Sequence, residues 1–231
     1  MSRADALLYR LMTWLSPAFP VGGFSYSHGL EYAVEAGLVN DAATARGWIE
    51  GIILDGAGRA DATLFAAAWR ATQSGDGARL VDVAELAEAL RGTIETALES
   101  RAQGHAFLDT VTRVWAEPRL AEFQRDCAAR DLAPAYPVAV AAVAATAGIG
   151  LRAALVAYLQ AFAALLVSAA VRLVPLGQTD GQRVTAALEP IVLGAARAAI
   201  VRPLDDIGSA APMVDWTSMS HETQHTRLFR S

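Results

Sequence analysis

The sequence predicts an all-α protein: a single-domain bundle of about ten helices with an extended C-terminal tail. Three observations lead there. Alanine and leucine dominate the apolar half of the chain while aromatics make up only 7%, a composition for closely packed helices and against a sheet sandwich. Apolar residues recur at three- and four-residue spacing in one segment after another, separated by Gly, Pro, Asn and Asp. Two segments, 136–147 and 151–173, are apolar on nearly every face and too long for strands, which places them at the centre of a bundle. A chain of 231 residues can bury one substantial core, so one domain is expected.

Taken in order, Leu7, Leu8, Leu11, Met12 and Leu15 form an amphipathic first helix that stops at Ser16 and Pro17, since the residue before proline is pushed out of the helical region. A loop punctuated by Pro17, Pro20, Gly22 and Gly23 follows, with helical character from Ser27 to Ala36 and Gly37 as terminator. Asn40 or Asp41 caps the next helix, whose apolar face carries Trp48, Ile49, Ile52 and Ile53. A helix over 61–71 ends in the turn Ser74 to Gly77. Leu80, Val83, Ala87 and Leu90 then keep helical spacing, as do Ile94, Ala97, Leu98, Phe107, Leu108, Val111 and Val114 further on. A helix near 119–129 precedes the two central ones. Pro175 and Gly177 end the second of these, and a last long helix runs from a Thr179 or Asp180 cap to Val201 with a kink at Pro190. From Pro203 the periodicity gives way to polar residues, Gly208 and Pro212. This divides the chain into a helical domain, 1–202, and a tail, 203–231, with one short terminal helix.

All nineteen basic residues are arginine. The absence of lysine removes Schiff-base catalysis and the Walker P-loop, whose lysine must reach the nucleotide phosphates. A net charge of -5 with dispersed arginines offers no basic stripe, so no nucleic-acid partner is expected. The single cysteine, Cys127, excludes an internal disulfide framework, fits a reducing compartment and reads as an inert core residue. Asp5 and Arg10 interrupt the first apolar turns, unlike a secretory signal, and the expected location is the cytoplasm. Ala153 to Val171 carries no charge and is nearly long enough to span a bilayer. It is mostly alanine and contains Gln160 and Ser168, so it is read as a buried helix, with no membrane partner.

Several strings suggest chemistry. His221-Glu-Thr-Gln-His225 is a literal HExxH, in which a helix holds two zinc ligands one turn apart with a glutamate base. It lies six residues from the last position, leaving no downstream helix for a third ligand. A zinc metallohydrolase is therefore the alternative reading, and no metal or cofactor is expected. Ser25 to Gly29 approximates a nucleophile elbow, but a serine replaces its first glycine and no strand precedes it. His28 reads as a hydrogen-bonded structural histidine, and Gly22 and Gly23 as an ordinary turn. Glu99, Gln103 and His105 fall within one helix, where residues four apart share a face. They point to metal binding or, alternatively, to a polar contact within or between helices, with Gly104 permitting close approach.

Four stretches together resemble the UreF family of urease accessory proteins: residues 16–31, SPAFPVGGFSYSHGLE; 99–104, ESRAQG; 172–182, RLVPLGQTDGQ; and the tail from His221 to Ser231, ending TRLFRS. They span essentially the whole chain in order. The resemblance implies a helical, non-enzymatic scaffold. It would bind a UreD/UreH-type accessory protein, usually as a homodimer, and recruit the GTPase UreG to deliver nickel to apo-urease. It further implies that the tail is a docking segment, with His221, Glu222, Arg227, Leu228, Phe229 and Arg230 at the partner surface. Arg227 would anchor through its guanidinium, to the partner or to the scaffold itself, and Leu228 and Phe229 would supply apolar burial. Phe19, Phe24, Tyr26 and His28 of the N-terminal loop join that surface as anchors, or else serve as core plugs. The family leads one to expect tyrosine where this chain has His225, and that departure creates the zincin appearance.

Overall fold

The computed structural model describes residues 2–231, and among them every regular element is helical. Eleven α-helices follow one another: α1 (Arg3–Trp14), α2 (Leu30–Glu35), α3 (Ala42–Leu54), α4 (Ala57–Ser74), α5 (Gly77–Ala89), α6 (Ile94–Trp115), α7 (Pro118–Ala128), α8 (Tyr136–Ala147), α9 (Leu151–Leu173), α10 (Gln178–Val201) and α11 (Pro212–His221). Short 3-10 turns occupy Gly23–Ser25 and Leu204–Asp206.

The ends of these helices follow from local chemistry. Ser2 and Asp5 close a capping box on α1, and Asp41, rather than Asn40, does the same with Thr44 on α3, each supplying acceptors to otherwise orphaned N–H groups. Thr93 caps α6 through its side chain. Gly75 takes a left-handed conformation (φ 74°) between α4 and α5, a geometry glycine adopts without a Cβ penalty.

The starts of α4 and α10 differ from expectation. α4 begins at Ala57 and so takes in Gly58, which fits because a Cβ there would come within 2.7 Å of the Ile53 Cα. α10 starts directly after Gly177, ahead of both Thr179 and Asp180. It runs on through Pro190 to Val201, the end that the sequence reading gave it. Ala186, whose carbonyl loses its partner at that proline, is an exposed residue, so the lost bond falls on the solvent side of the helix.

α8 is the centre of the bundle. Every residue from Pro137 to Ala145 is buried, between α4 on one side and α6 on the other, while α9 packs against α10 and also meets α3, α4 and α8. α9 and α10 are both long and apolar enough to cross a bilayer, and both are built into this packing. The α6–α8 approach depends on Gly104, where a Cβ would lie 2.0 Å from the Pro134 carbonyl oxygen. Cys127 is fully buried in the main core, and burial pushes its thiol up to about 12, which keeps it an unreactive neutral group. A second, smaller core joins Leu30, Ala33, Val39, Ala45, Ala169, Ala170 and Val174 to Phe229 of the tail.

Candidate functional site

The tail folds back onto the N-terminal loop. α11 lies against α2, with Tyr32 and Trp216 in edge-to-face contact at 5.4 Å. Gly29 makes this crossing possible: its φ is 75°, and a Cβ there would stand 2.6 Å from the Ser218 amide nitrogen. Beyond α11 the last ten residues form no helix, and their main chain is held by the loop. The Arg230 N–H donates to the Ser25 carbonyl at 2.7 Å, the Ser27 N–H donates to the Ser231 backbone oxygen at 2.6 Å, and the Ser27 hydroxyl donates to that same oxygen.

Three glutamates, Glu31 and Glu99 buried and Glu95 half-buried, receive the rest of the tail. Glu31, in the first turn of α2, accepts the N–H groups of Leu228 at 2.6 Å and Phe229 at 2.9 Å. Glu95 of α6 pairs with Arg227 Nη1 at 2.7 Å. Glu99, one turn along α6, accepts from the Ser231 hydroxyl at 3.0 Å, from Gln103 Nε2 at 2.8 Å and from His28 Nε2 at 3.1 Å. His221, wholly inaccessible to solvent, stands between two of them, with Nδ1 2.6 Å from Glu95 and Nε2 3.1 Å from Glu31. Glu222 accepts the Ile94 N–H at 2.9 Å, adding an acid at the N-terminus of α6, where the helix dipole favours one. Phe229 fills the smaller core, and the Arg172 guanidinium lies 4.2 Å above its ring while donating to the Phe24 carbonyl at 2.9 Å. One arginine thus clamps loop and tail together.

Beneath the loop, between α6 and α9, lies a cavity of about 270 Å3 with His28, Asp61, Arg91, Glu99, Gln103 and Tyr158 in its wall. Asp61 accepts from Arg91 Nη2 at 2.8 Å and from the Tyr158 hydroxyl at 3.0 Å. Burial works against the Arg91 charge, but the Asp61 carboxylate more than offsets it and holds the guanidinium above its usual range. Burial raises Tyr158 well above an ordinary phenol. His28 is likewise opposed by burial, yet the Glu99 carboxylate wins and raises its pKa. Its backbone sits in the left-handed region (φ 52°), a strained setting for a residue with a Cβ.

The HETQH string does not form a zinc site. α11 ends at His221, so His225 is not one helical turn above it, and His225 is exposed while both His221 nitrogens already face carboxylates. Ser27 and His28 form no dyad either, because the hydroxyl serves Ser231 and the imidazole serves Glu99. Glu99 and Gln103 meet as the helical spacing suggested, but His105 points to solvent, and among the described residues no cluster of three metal-ligating side chains occurs.

The expected partner-surface residues separate into two layers. Phe19, Tyr26, His28, His221 and Phe229 are buried, whereas Phe24 (67% exposed), Leu228 (63% exposed), Arg227 and Arg230 face solvent and Glu222 is half-buried. Phe19 packs on Phe107 at 5.3 Å, a core plug in this conformation. Sequence reasoning did not single out Glu31, Glu95, Asp61, Arg91 or Tyr158. Glu31 and Arg172 do fall inside stretches that carry the family resemblance, which was the available signal.

A sequence model of the UreF family matches residues 39–189. The chain is also 52% identical over 230 residues to the urease accessory protein UreF of Granulibacter bethesdensis, covering all of this chain and 96% of that one. The chain belongs to the UreF family. Urease accessory proteins UreF of Rhodopseudomonas palustris strain HaA2, at 54% identity, and of a Bradyrhizobium strain, at 53%, align over 98% and 97% of this chain and over 94% and 92% of their own lengths. The family model stops short of both the 16–31 loop and the terminal strap, residues 222–231, while these UreF alignments take in nearly the full length. The alignment with the Granulibacter protein takes in the tail and the glutamates that hold it.

Proposed function

We propose that this UreF-family chain is a cytoplasmic, non-catalytic scaffold of urease maturation. It binds a UreD/UreH-type accessory protein, pairs as a homodimer in that complex, and recruits the GTPase UreG so that nickel reaches apo-urease. The observation that carries this reading is the meeting of the 16–31 loop with the terminal strap. Two stretches at opposite ends of the sequence form one composite surface, with Phe24 exposed on the loop and Leu228 exposed on the strap.

Exposed apolar side chains on a pinned main chain suit them as interface anchors, because little ordering entropy remains to be lost on binding. The buried Phe229, His221, His28, Tyr26 and Phe19 hold that surface from below. Arg227 and Arg230 contribute a polar rim, and Glu222 fixes the strap to α6. The nucleotide chemistry belongs to UreG, because a chain without lysine cannot supply the P-loop cation. Residues 203–231 act as the docking tail of the helical domain 1–202.

Co-expression with the UreD-type partner from the same operon tests this. The wild-type chain co-elutes with the partner on size exclusion, and the complex retains UreG when that is added. The double variant Phe24→Ala/Leu228→Ala, which touches only exposed side chains, keeps its helical circular dichroism and loses the partner. A complex that survives the double variant undiminished overturns the assignment of this surface.

A further inference from the structure

We infer that the cavity beneath the N-terminal loop is a ligand site, and that its ligand is a compact, uncharged ring compound with one hydroxyl, of the phenol class. Rings make up much of the wall. Phe19, Tyr136, Tyr158 and Phe162 line it together with Leu15 and Leu165. Tyr136 is tilted against Tyr158 at 5.8 Å, and Phe162 meets His28 edge-on at 4.9 Å. A wall of this kind favours a further ring, through apolar burial and edge-to-face contact.

The carboxylates in the wall are already engaged. Asp61 uses one oxygen for Arg91 Nη2 and the other for the Tyr158 hydroxyl. Glu99 uses one for Gln103 and His28 and the other for Ser231. An ionic ligand would leave water for a site of low dielectric with no free counter-charge, which is costly, whereas a neutral one avoids that cost.

Two polar groups of the wall are left over. The Tyr136 hydroxyl has no hydrogen-bond partner among the described residues, and burial alone pushes it above the usual phenol range. The Gln103 amide is oriented by its Nε2 bond to Glu99, and its carbonyl oxygen likewise meets no donor. Buried polar groups without partners are expensive. A ligand hydroxyl can answer either one, since it accepts as well as donates.

Size and access agree. At about 270 Å3 the cavity exceeds the roughly 150 Å3 that takes benzene in an engineered apolar core and falls short of the roughly 300 Å3 where drug-sized sites begin, so one substituted ring fits. The lining runs from the exposed Phe24, Gln160 and Ser168 to the buried Asp61 and Tyr158, and a ligand reaches it without opening the bundle. Phe19 and Phe24 belong to the loop and Phe162 and Leu165 to α9, so an occupant ties the loop to that helix. The site is a property of the chain alone and does not rest on the docking reading.

Calorimetric titration of the full chain at neutral pH, with no partner protein present, tests the site with p-cresol, toluene and benzoate. p-Cresol binds saturably, one per chain. Toluene binds about tenfold more weakly for want of one net hydrogen bond, and benzoate does not bind. Tyr136→Phe, which removes only a hydroxyl that nothing in the chain uses, brings p-cresol down towards the toluene value and leaves toluene as it was. In methyl-labelled protein the Leu165 and Val21 resonances shift with p-cresol, while those of Leu80 and Val83 in α5 stay in place. No saturable binding of p-cresol, equal affinity for toluene, benzoate binding as tight as that of p-cresol, or a p-cresol affinity untouched by Tyr136→Phe overturns the inference.

Discussion

The carboxylate of Glu31 accepts the main-chain N–H of Phe229 at 2.9 Å across 198 positions of sequence. A second strap amide, that of Leu228, is held by the same group, so a single side chain in the first turn of α2 acts as an anion seat for a peptide segment. Charge-assisted bonds of this kind are roughly twice as strong as neutral ones. Phe229 adds apolar burial worth about 1.5–3 kcal/mol. The strap is consequently a bound ligand that happens to share the chain.

Glu31→Ala leaves those two amides and one face of His221 unsatisfied. Breaking one side of a buried charged cluster costs about 3–5 kcal/mol, here spent on opening the strap. Carboxypeptidase digestion followed by intact mass shows it: the wild-type chain resists, and Glu31→Ala loses residues beyond α11 while α8 and α9 stay protected. Equal resistance of the two proteins removes Glu31 from the clasp.

The His28–Glu99 pair predicts a pH dependence of defined sign. Burial opposes the imidazolium, but Glu99 raises the folded-state pKa above the free value of about 6.5. Between those two values the folded chain binds more protons than the unfolded one. Its contribution is complete below about pH 6.5 and is lost as pH rises through the folded value, at no more than about 1.4 kcal/mol per pH unit. Urea unfolding at several pH values shows this decline, and His28→Gln flattens it.

Asp61→Asn takes from the buried Arg91 guanidinium the carboxylate that it is hydrogen-bonded to in the cavity wall. The expected loss is about 3–5 kcal/mol in unfolding free energy. Asp61→Asn/Arg91→Met removes both charges and recovers much of it, since an apolar pair of similar volume is often tolerated. A double variant no more stable than Asp61→Asn indicates that the arginine's packing, and not its pairing, is what counts.

Gly104→Ala places a Cβ 2.0 Å from the Pro134 carbonyl oxygen, a backbone atom that no rotamer change moves aside. Overpacking of a tight helix crossing costs about 1–3 kcal/mol, sometimes more, and the melting temperature should fall by at least several degrees. Gly47→Ala, at a helical glycine with open space around it, is the matched control and leaves it unchanged or higher.

The helices were legible because their signals are local. Continuous apolarity and length placed 136–147 and 151–173 at the ends that α8 and α9 have in the structure, and Gly104 read as a point of close approach from its small size alone. The seat was harder. Glu31, Glu95 and Glu99 look like ordinary helical acids in one dimension, and nothing near them in sequence announces His221 or Leu228, which lie more than 120 positions away. The HETQH string showed the converse hazard. A five-residue motif presumes a helix that here has already ended at its first histidine.

The Arg230–Ser25 and Ser231–Ser27 bonds also order events in time. A ribosome releases the 23–31 loop well before the strap, and closing so long a span carries an entropic cost that short helical contacts do not. The bundle from α3 to α10 can therefore be assembled while Glu31 still waits, uncovered, for its clasp. Throughout that interval the loop is open to any other peptide with two free amides and an aromatic ring to offer, and the nascent protein is recognisable as unfinished.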